Sequence, residues 1–243
     1  MSRRLRAAGA LAVAAALVAI LLGGEPQAPP SASPPEPRPH PAVSNPSNVM
    51  APRYRDILPV FWDELYGDGG ESLYCGEAFG AQRNRDLNVE HVFPMAWVMN
   101  KFGCRDRDQC RRDHAEFRRI EADLHNLYPS RRDLNAARGS FPFAIIPGER
   151  RAFGDCDFEV DTRRRWVEPR PAVRGEIARA MFYMHDSYDL EIRRRQARLL
   201  LQWNREDPPG ELERRRNAII ERLQGRRNRF IDKPEAADVL AFQ

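Results

Sequence analysis

Two short segments hold the side chains best suited to hydrolytic chemistry. In NVEHVFP, Glu90 and His91 are adjacent. In EADLHNLYPSRRDLNAARGSF, Asp123, His125, Asn126, Asn135 and Arg138 crowd together. A carboxylate and a neutral amide oxygen are hard donors that suit a cation such as Mg2+, and two protein ligands leave its other positions open to phosphate and water. Histidine, with an ordinary pKa of about 6.5, can take up a proton at neutral pH. Together these groups point to metal-assisted phosphodiester hydrolysis. Each segment alone has a plainer reading: a Glu-His pair arises by chance, and His125 could be a buried or capping residue.

The adjacency of Glu90 and His91 sets a geometric condition. The segment reads as extended, and neighbours on a strand leave on opposite faces. Either the chain bends here, as Pro94 allows, or the two groups reach a substrate from different sides.

The elements that must position these groups begin well into the chain. Of the 243 residues, 1–24 carry Arg3, Arg4 and Arg6 ahead of an apolar run from Ala7 to Leu22. That is a secretory signal or an uncleaved anchor. The run falls short of the roughly 20 apolar residues of a membrane span, which favours cleavage. Residues 25–48 are rich in proline and serine and read as a disordered linker. The folded domain is expected over 49–238, with a tail at 239–243. A cleaved leader implies a periplasmic or secreted protein with no stable membrane association.

Export implies an oxidising compartment, so the four cysteines are expected in disulfides. Cys104 and Cys110 close a short loop and Cys75 with Cys156 is the complement, but three pairings are open. A rival zinc site built from Cys104, Cys110, His114 and His125 has the spacing C-x5-C-x3-H-x10-H, outside the usual patterns.

The net charge of +4 depends on the leader: residues 25–243 carry about +1. The excess is concentrated in 191–243, at about +4, where Arg193, Arg194, Arg195, Arg214, Arg215, Arg216, Arg226, Arg227 and Arg229 form a candidate phosphate-binding surface. Solvated helix faces are the ordinary alternative. Lys101 and Lys233 are the only lysines.

PRYRDILPVFWDELY is expected to be a helix from Pro52, with Ile57, Phe61 and Leu65 on one face. SLYCGEAF and DLNVEHVF read as a hairpin or irregular strand pair, PMAWVMNKF as a helical turn or two, and CRDRDQC as a polar loop. HAEFRRIEADLHNLY reads as one helix, interrupted by Pro129, with a second from Ser130 to Gly139. FPFAII and DFEVDTRRRWVEP read as strands. The last third is helical, with apolar stripes that face a core. No P-loop, dinucleotide fingerprint, G-x-S-x-G elbow or H-E-x-x-H is present.

In this setting the sequence resembles the bacterial endonuclease I family, exported nucleases of the ββα-metal (His-Me finger) class. The resemblance is carried by LYCG at 73–76, VEHVFP at 89–94, FGC at 102–104 and FRRIEADLHNLYPSRRDLNAARGSFPF at 117–143. GDCDFEVD, RGEIARAMFYM at 174–184 and QWNREDPPGELERRRNAIIERLQGRRNRFIDKPE at 202–235 extend it. It implies an α+β fold around a ββα-metal core with a helical C-terminal third. It implies Glu90 and Asn126 as ligands of Mg2+ or another divalent cation such as Mn2+ or Ca2+, and His91 as general base. Asn135 and Arg138 would support the site. An arginine steadying the cleaved phosphate is expected in the 105–112 loop, with Arg107 and Arg111 as candidates. The implied activity is hydrolysis of DNA, and of RNA as a further substrate, with little sequence preference and 5′-phosphate products, by a monomer. A non-catalytic exported nucleic-acid-binding protein on the same fold is the alternative. No base-reading module is visible, which fits binding through phosphates.

Overall fold

The computed structural model describes residues 53–81, 85–148 and 151–242. The expected leader and linker lie outside these residues. The chain opens with α1 (Tyr54–Pro59), which continues past Pro59 as a π-helical stretch over Val60–Leu65. The expected apolar stripe holds in part: Phe61, Trp62 and Leu65 are buried. Two short strands, β1 (Gly70–Glu71) and β2 (Ala78–Phe79), pair antiparallel. Most of SLYCGEAF is therefore turn rather than strand.

The centre is β3 (Leu87–His91), then α2 (Met95–Phe102), α3 (Arg107–Asp113), α4 (Ala115–Glu121), β4 (Leu127–Arg131) and α5 (Arg132–Arg138). β3 and β4 pair antiparallel with Glu90 opposite Tyr128 and His91 opposite Leu127, and α5 packs on both. This is a β–β–α unit with three helices inserted between its strands. The polar loop expected at CRDRDQC contains the start of α3, whose first turn is capped by the Asp106 carboxylate accepting from Gln109 N at 2.7 Å. The single helix expected at HAEFRRIEADLHNLY ends at Glu121; a 3-10 turn (Leu124–Asn126) follows, and its last residues enter β4. The helical periodicity was real, but Tyr128 and Pro129 sit on a strand whose pairing with β3 overrides it. α5 forms where expected and stops at Gly139, whose φ of +53° suits glycine.

β5 (Phe158–Asp161) and β6 (Trp166–Pro169) form the third antiparallel pair; FPFAII adds only an isolated bridge from Phe143 to Val167. The last third is helical: α6 (Arg174–Tyr188), α7 (Arg194–Glu206), α8 (Glu211–Gln224) and the single turn α9 (Arg229–Asp232). The fold is thus α+β with a helical C-terminal part. Among the described residues no helix is long and apolar enough to cross a membrane.

Both cystine bridges are formed, Cys75 to Cys156 and Cys104 to Cys110. The zinc alternative is thereby overturned. Its thiols are consumed, His114 packs against Phe102, and His125 is buried against Tyr183.

Two apolar clusters hold the β–β–α unit. The larger includes Tyr74, Phe93, Phe117, Phe158, Met181 and Trp203; the smaller joins Phe61, Leu87, Leu124, Leu127 and Ile220. The C-terminal helices also grip the start of β4 by polar contacts. Arg216 on α8 is buried and donates to the carbonyls of Leu124 and Leu127, both at 2.7 Å. The Asp123 carboxylate accepts from Tyr183 Oη at 3.0 Å, Tyr188 Oη at 2.5 Å and Gln224 Nε2 at 2.9 Å. The expected basic surface is divided accordingly: Arg216 belongs to the interior, and Arg227 and Arg229 are paired with acids.

Candidate active site

At the end of the β3–β4 pair, Glu90 and His91 close one strand and Asn126 immediately precedes the other. Val92 N donates to Asn126 O at 3.1 Å. Beyond that point the chain turns at Phe93-Pro94 into α2, so the bend falls after His91 and the strand pairing is regular through it. Glu90 and His91 therefore leave on opposite faces, and their partners differ accordingly.

Glu90 is buried, and Tyr74 Oη donates to its Oε1 at 2.7 Å. The same oxygen lies 3.3 Å from Arg138 Nη1. Burial raises the pKa of this carboxyl, while Arg138 and Tyr74 pull it back. Arg138, itself buried, also donates to the carbonyls of His91 at 3.2 Å and Val92 at 2.7 Å. One guanidinium on α5 thus fixes both the carboxylate and the backbone that carries it. Asn135, one turn earlier, donates to Val89 O at 3.1 Å and Asn88 Oδ1 at 3.0 Å.

His91 packs under the Tyr54 ring, with centroids 5.2 Å apart, and its Nε2 lies 3.0 Å from Glu121 O. A carbonyl can only accept, so Nε2 carries the proton and Nδ1 keeps its lone pair. Burial, and after it the charge of Arg107, lowers the His91 pKa to about 3. The ring is neutral at pH 7.

Asn126 is fully buried and grips one residue with both ends of its amide: Oδ1 accepts from Phe93 N at 2.6 Å and Nδ2 donates to Phe93 O at 3.1 Å. A carbonyl oxygen has two lone pairs, so Oδ1 retains one. Among the described residues no three His, Cys, Asp or Glu side chains are grouped to hold an ion. A cation here could be held by a carboxylate, an amide oxygen and water, and Glu90 with Asn126 would supply such hard donors. The residues present fit a divalent cation.

The two candidate arginines occupy different situations. Arg111 is clamped by Glu121, Nε to Oε2 at 2.8 Å and Nη2 to Oε1 at 2.7 Å, and also pairs with Asp108 at 2.9 Å. Arg107 is more loosely held, 3.6 Å from Glu121 Oε1. A cleft of about 600 Å3 opens beside Arg111, lined also by Arg53, Tyr54, Arg55, Arg118 and Glu121, among others.

The sequence profile of the endonuclease I family matches residues 62–235. The chain belongs to the endonuclease I family. An extracellular deoxyribonuclease of Aeromonas hydrophila is 38% identical over 220 residues, covering 76% of this chain and 93% of the relative. A periplasmic deoxyribonuclease of the same species is 36% identical over 166 residues, covering 65% and 69%. An extracellular ribonuclease of Bacillus subtilis (strain 168) is 37% identical over 134 residues, covering 48% and 45%.

In this member of the endonuclease I family, sequence reasoning missed Tyr54, Tyr74 and Glu121. Tyr74 lay within the LYCG segment that carries the family resemblance, and that was the available signal. Glu121 supplies a backbone carbonyl to His91, a role open to any residue type, while its carboxylate holds Arg111; the first of these roles leaves no signal in the sequence. His125 is buried away from these groups' partners: its Nε2 meets Arg226 O at 3.0 Å, and burial lowers its pKa to about 4.

Proposed function

We propose that this chain is an exported, divalent-metal-dependent endonuclease that hydrolyses phosphodiester bonds of DNA with little sequence preference. It acts as a monomer in the periplasm or outside the cell, leaves 5′-phosphate ends, and takes RNA as a further substrate. Export and DNA hydrolysis are supported by the relatives named extracellular and periplasmic deoxyribonucleases, and RNA by the relative named a ribonuclease.

The observation that carries the catalytic reading is the hydrogen bond from His91 Nε2 to Glu121 O. It favours a neutral tautomer with Nδ1 as the proton acceptor, on a residue adjacent in sequence to Glu90. In the proposed reaction Nδ1 takes a proton from water as that water attacks phosphorus in line, the P–O3′ bond breaks, and the departing 3′ oxygen takes a proton from solvent water, leaving the phosphate on the 5′ side. Glu90 and Asn126 would hold the cation, which supplies Lewis-acid stabilisation of charge developing on the phosphate oxygens. Arg107, more free than Arg111, binds a non-bridging oxygen. A phosphate on Arg107 offsets a charge that depresses His91, and so moves the ring back toward its ordinary basicity. Arg138, Asn135 and Tyr74 position these groups without touching substrate.

The test is plasmid nicking in EDTA and after Mg2+ add-back, with wild type and His91→Ala. Nicking should require the added ion. The variant should lose at least about 100-fold in rate, the low end of general-base contributions, and keep DNA binding. Ligation of the products without prior phosphorylation reads the 5′-phosphate. Binding without nicking at any ion concentration would instead favour a non-catalytic nucleic-acid-binding protein.

A further inference from the structure

The chemistry above leaves unused a larger cleft on the other flank of Phe93. It measures about 870 Å3 and is lined by Trp97, Phe141, Arg164, Arg165, Arg193 and Gln196, among others. A second cleft of about 360 Å3, containing Trp166 and Arg195, shares Pro142, Arg193 and Gln196 with it. Because Phe93 holds the Asn126 amide, the joined clefts abut the catalytic hairpin.

Three observations bear on what they bind. First, cations and rings alternate. The Arg165 guanidinium lies 5.3 Å from the Phe141 ring centre, and Arg164 and Arg195 lie 5.5 and 4.9 Å from that of Trp166. Arg165 takes a φ of +57°, a left-handed conformation uncommon away from glycine. Second, Lys101 and the four arginines outnumber Asp189 and Glu191 along the walls. Third, Gln196 is only 8% exposed, yet both Oε1 and Nε2 are buried without a hydrogen-bond partner among the described residues. A buried amide is costly to leave unpaired. The residue lines both clefts, and its donor and acceptor lie just beneath their walls.

We propose that the joined clefts form a binding site for single-stranded nucleic acid. Unpaired bases stack on the half-buried rings and exposed guanidinium faces, the arginines follow the phosphates, and the Gln196 amide, buried in the absence of ligand, turns outward to pair with the edge of one base. Stacking on side chains and pairing with a base edge inside a concavity both require a base released from its duplex. Only a single strand presents all three complements. The choice of nucleic acid as ligand rests on the nuclease reading; the site itself is distinct from the residues that cleave.

The experiment is fluorescence anisotropy in EDTA with a labelled oligothymidylate and an abasic strand of the same length. Wild type should bind the base-bearing strand more tightly. Gln196→Met and Trp166→Ala should each weaken that binding about tenfold and barely alter binding of the abasic strand. Gln196→Met conserves shape and removes an unpaired amide, so it should melt no lower than wild type, which separates lost recognition from lost folding. Equal binding of both strands by wild type would overturn the proposal. So would variants that bind like wild type, or equal weakening on both strands, which would reduce the clefts to a phosphate track. Failure of Mg2+-dependent nicking would sink the nuclease reading, whereas intact nicking with no base preference would sink this one alone.

Discussion

Arg107 and Arg111 lie one helical turn apart on α3 and both approach Glu121, yet they should give opposite phenotypes when replaced by alanine. The Glu121 side chain is 0% exposed and that of Arg111 is 36% exposed. Removing Arg111 strands a buried carboxylate, a class of change that costs about 3–5 kcal/mol. Arg107 remains 3.6 Å away and Arg111 is partly solvated, so the lower end, about 3 kcal/mol, is appropriate. At about 2–4 °C per kcal/mol for a domain of this size, Arg111→Ala should melt about 6–12 °C below wild type. Removing Arg107 leaves the two-pronged Arg111–Glu121 pair intact, so the melting temperature should stay within about 2 °C. Its loss should instead fall on cleavage, by about 100-fold or more if it meets charge developing at phosphorus. Thermal unfolding by circular dichroism and plasmid nicking in Mg2+ read the two effects independently. An Arg107→Ala variant that melts early and nicks normally would refute the assignment, as would an Arg111→Ala variant that folds normally but cannot cleave.

Two further outcomes follow from the interior. The Cys75–Cys156 bridge spans 81 residues and Cys104–Cys110 only 6, so by loop-closure entropy replacing the first pair with alanines should cost about 4–5 kcal/mol and the second about 2–3; urea midpoints in the reverse order would contradict this. Glu176 is pushed up to about 7 by burial and then by the neighbouring Glu213. A raised folded-state pKa means that the native state holds a proton that the unfolded state releases from about pH 4.5 upward, so wild type loses stability between about 4.5 and 7. Glu176→Gln lacks this penalty, and its melting temperature should gain on wild type across that window and level off above it; a constant difference would exclude the effect.

The residues of the proposed site were picked out from the sequence by type and by family resemblance together. A carboxylate next to histidine arises by chance in many chains; only with the Asp-x-His-Asn element and the resemblance does it suggest a chemistry before any fold is known. The strand that completes the hairpin was not legible. Leu127–Arg131 follows a helix-like pattern and contains Pro129, which cannot donate to a ladder; only its partnership with Leu87–His91 makes it a strand. Helix α3 was hidden because its sequence is almost wholly polar, and its local signal was the Asp106 cap. The bend near Glu90-His91 was sought too early: pairing to β4 keeps the strand straight through His91, and Pro94 acts only past Phe93. Arg216 was read with the basic tail, yet it is an interior clamp. Composition gives charge, but only packing tells which guanidinium meets solvent.

The two-ended grip of Asn126 on Phe93 has a consequence for what this site could become. An aspartate is nearly the same shape, but it would turn an oxygen toward the Phe93 carbonyl, where Nδ2 now donates at 3.1 Å. Acceptor would face acceptor in a buried place. The backbone therefore vetoes a second carboxylate, and at the proposed cation site a divalent ion would meet one negative charge, already shadowed by Arg138. Because affinity for hard cations rises with the charge of the ligand set, the fold would cap how tightly an ion is kept at the proposed site. In the proposed enzyme, activity would then track the ionic make-up of the surrounding fluid.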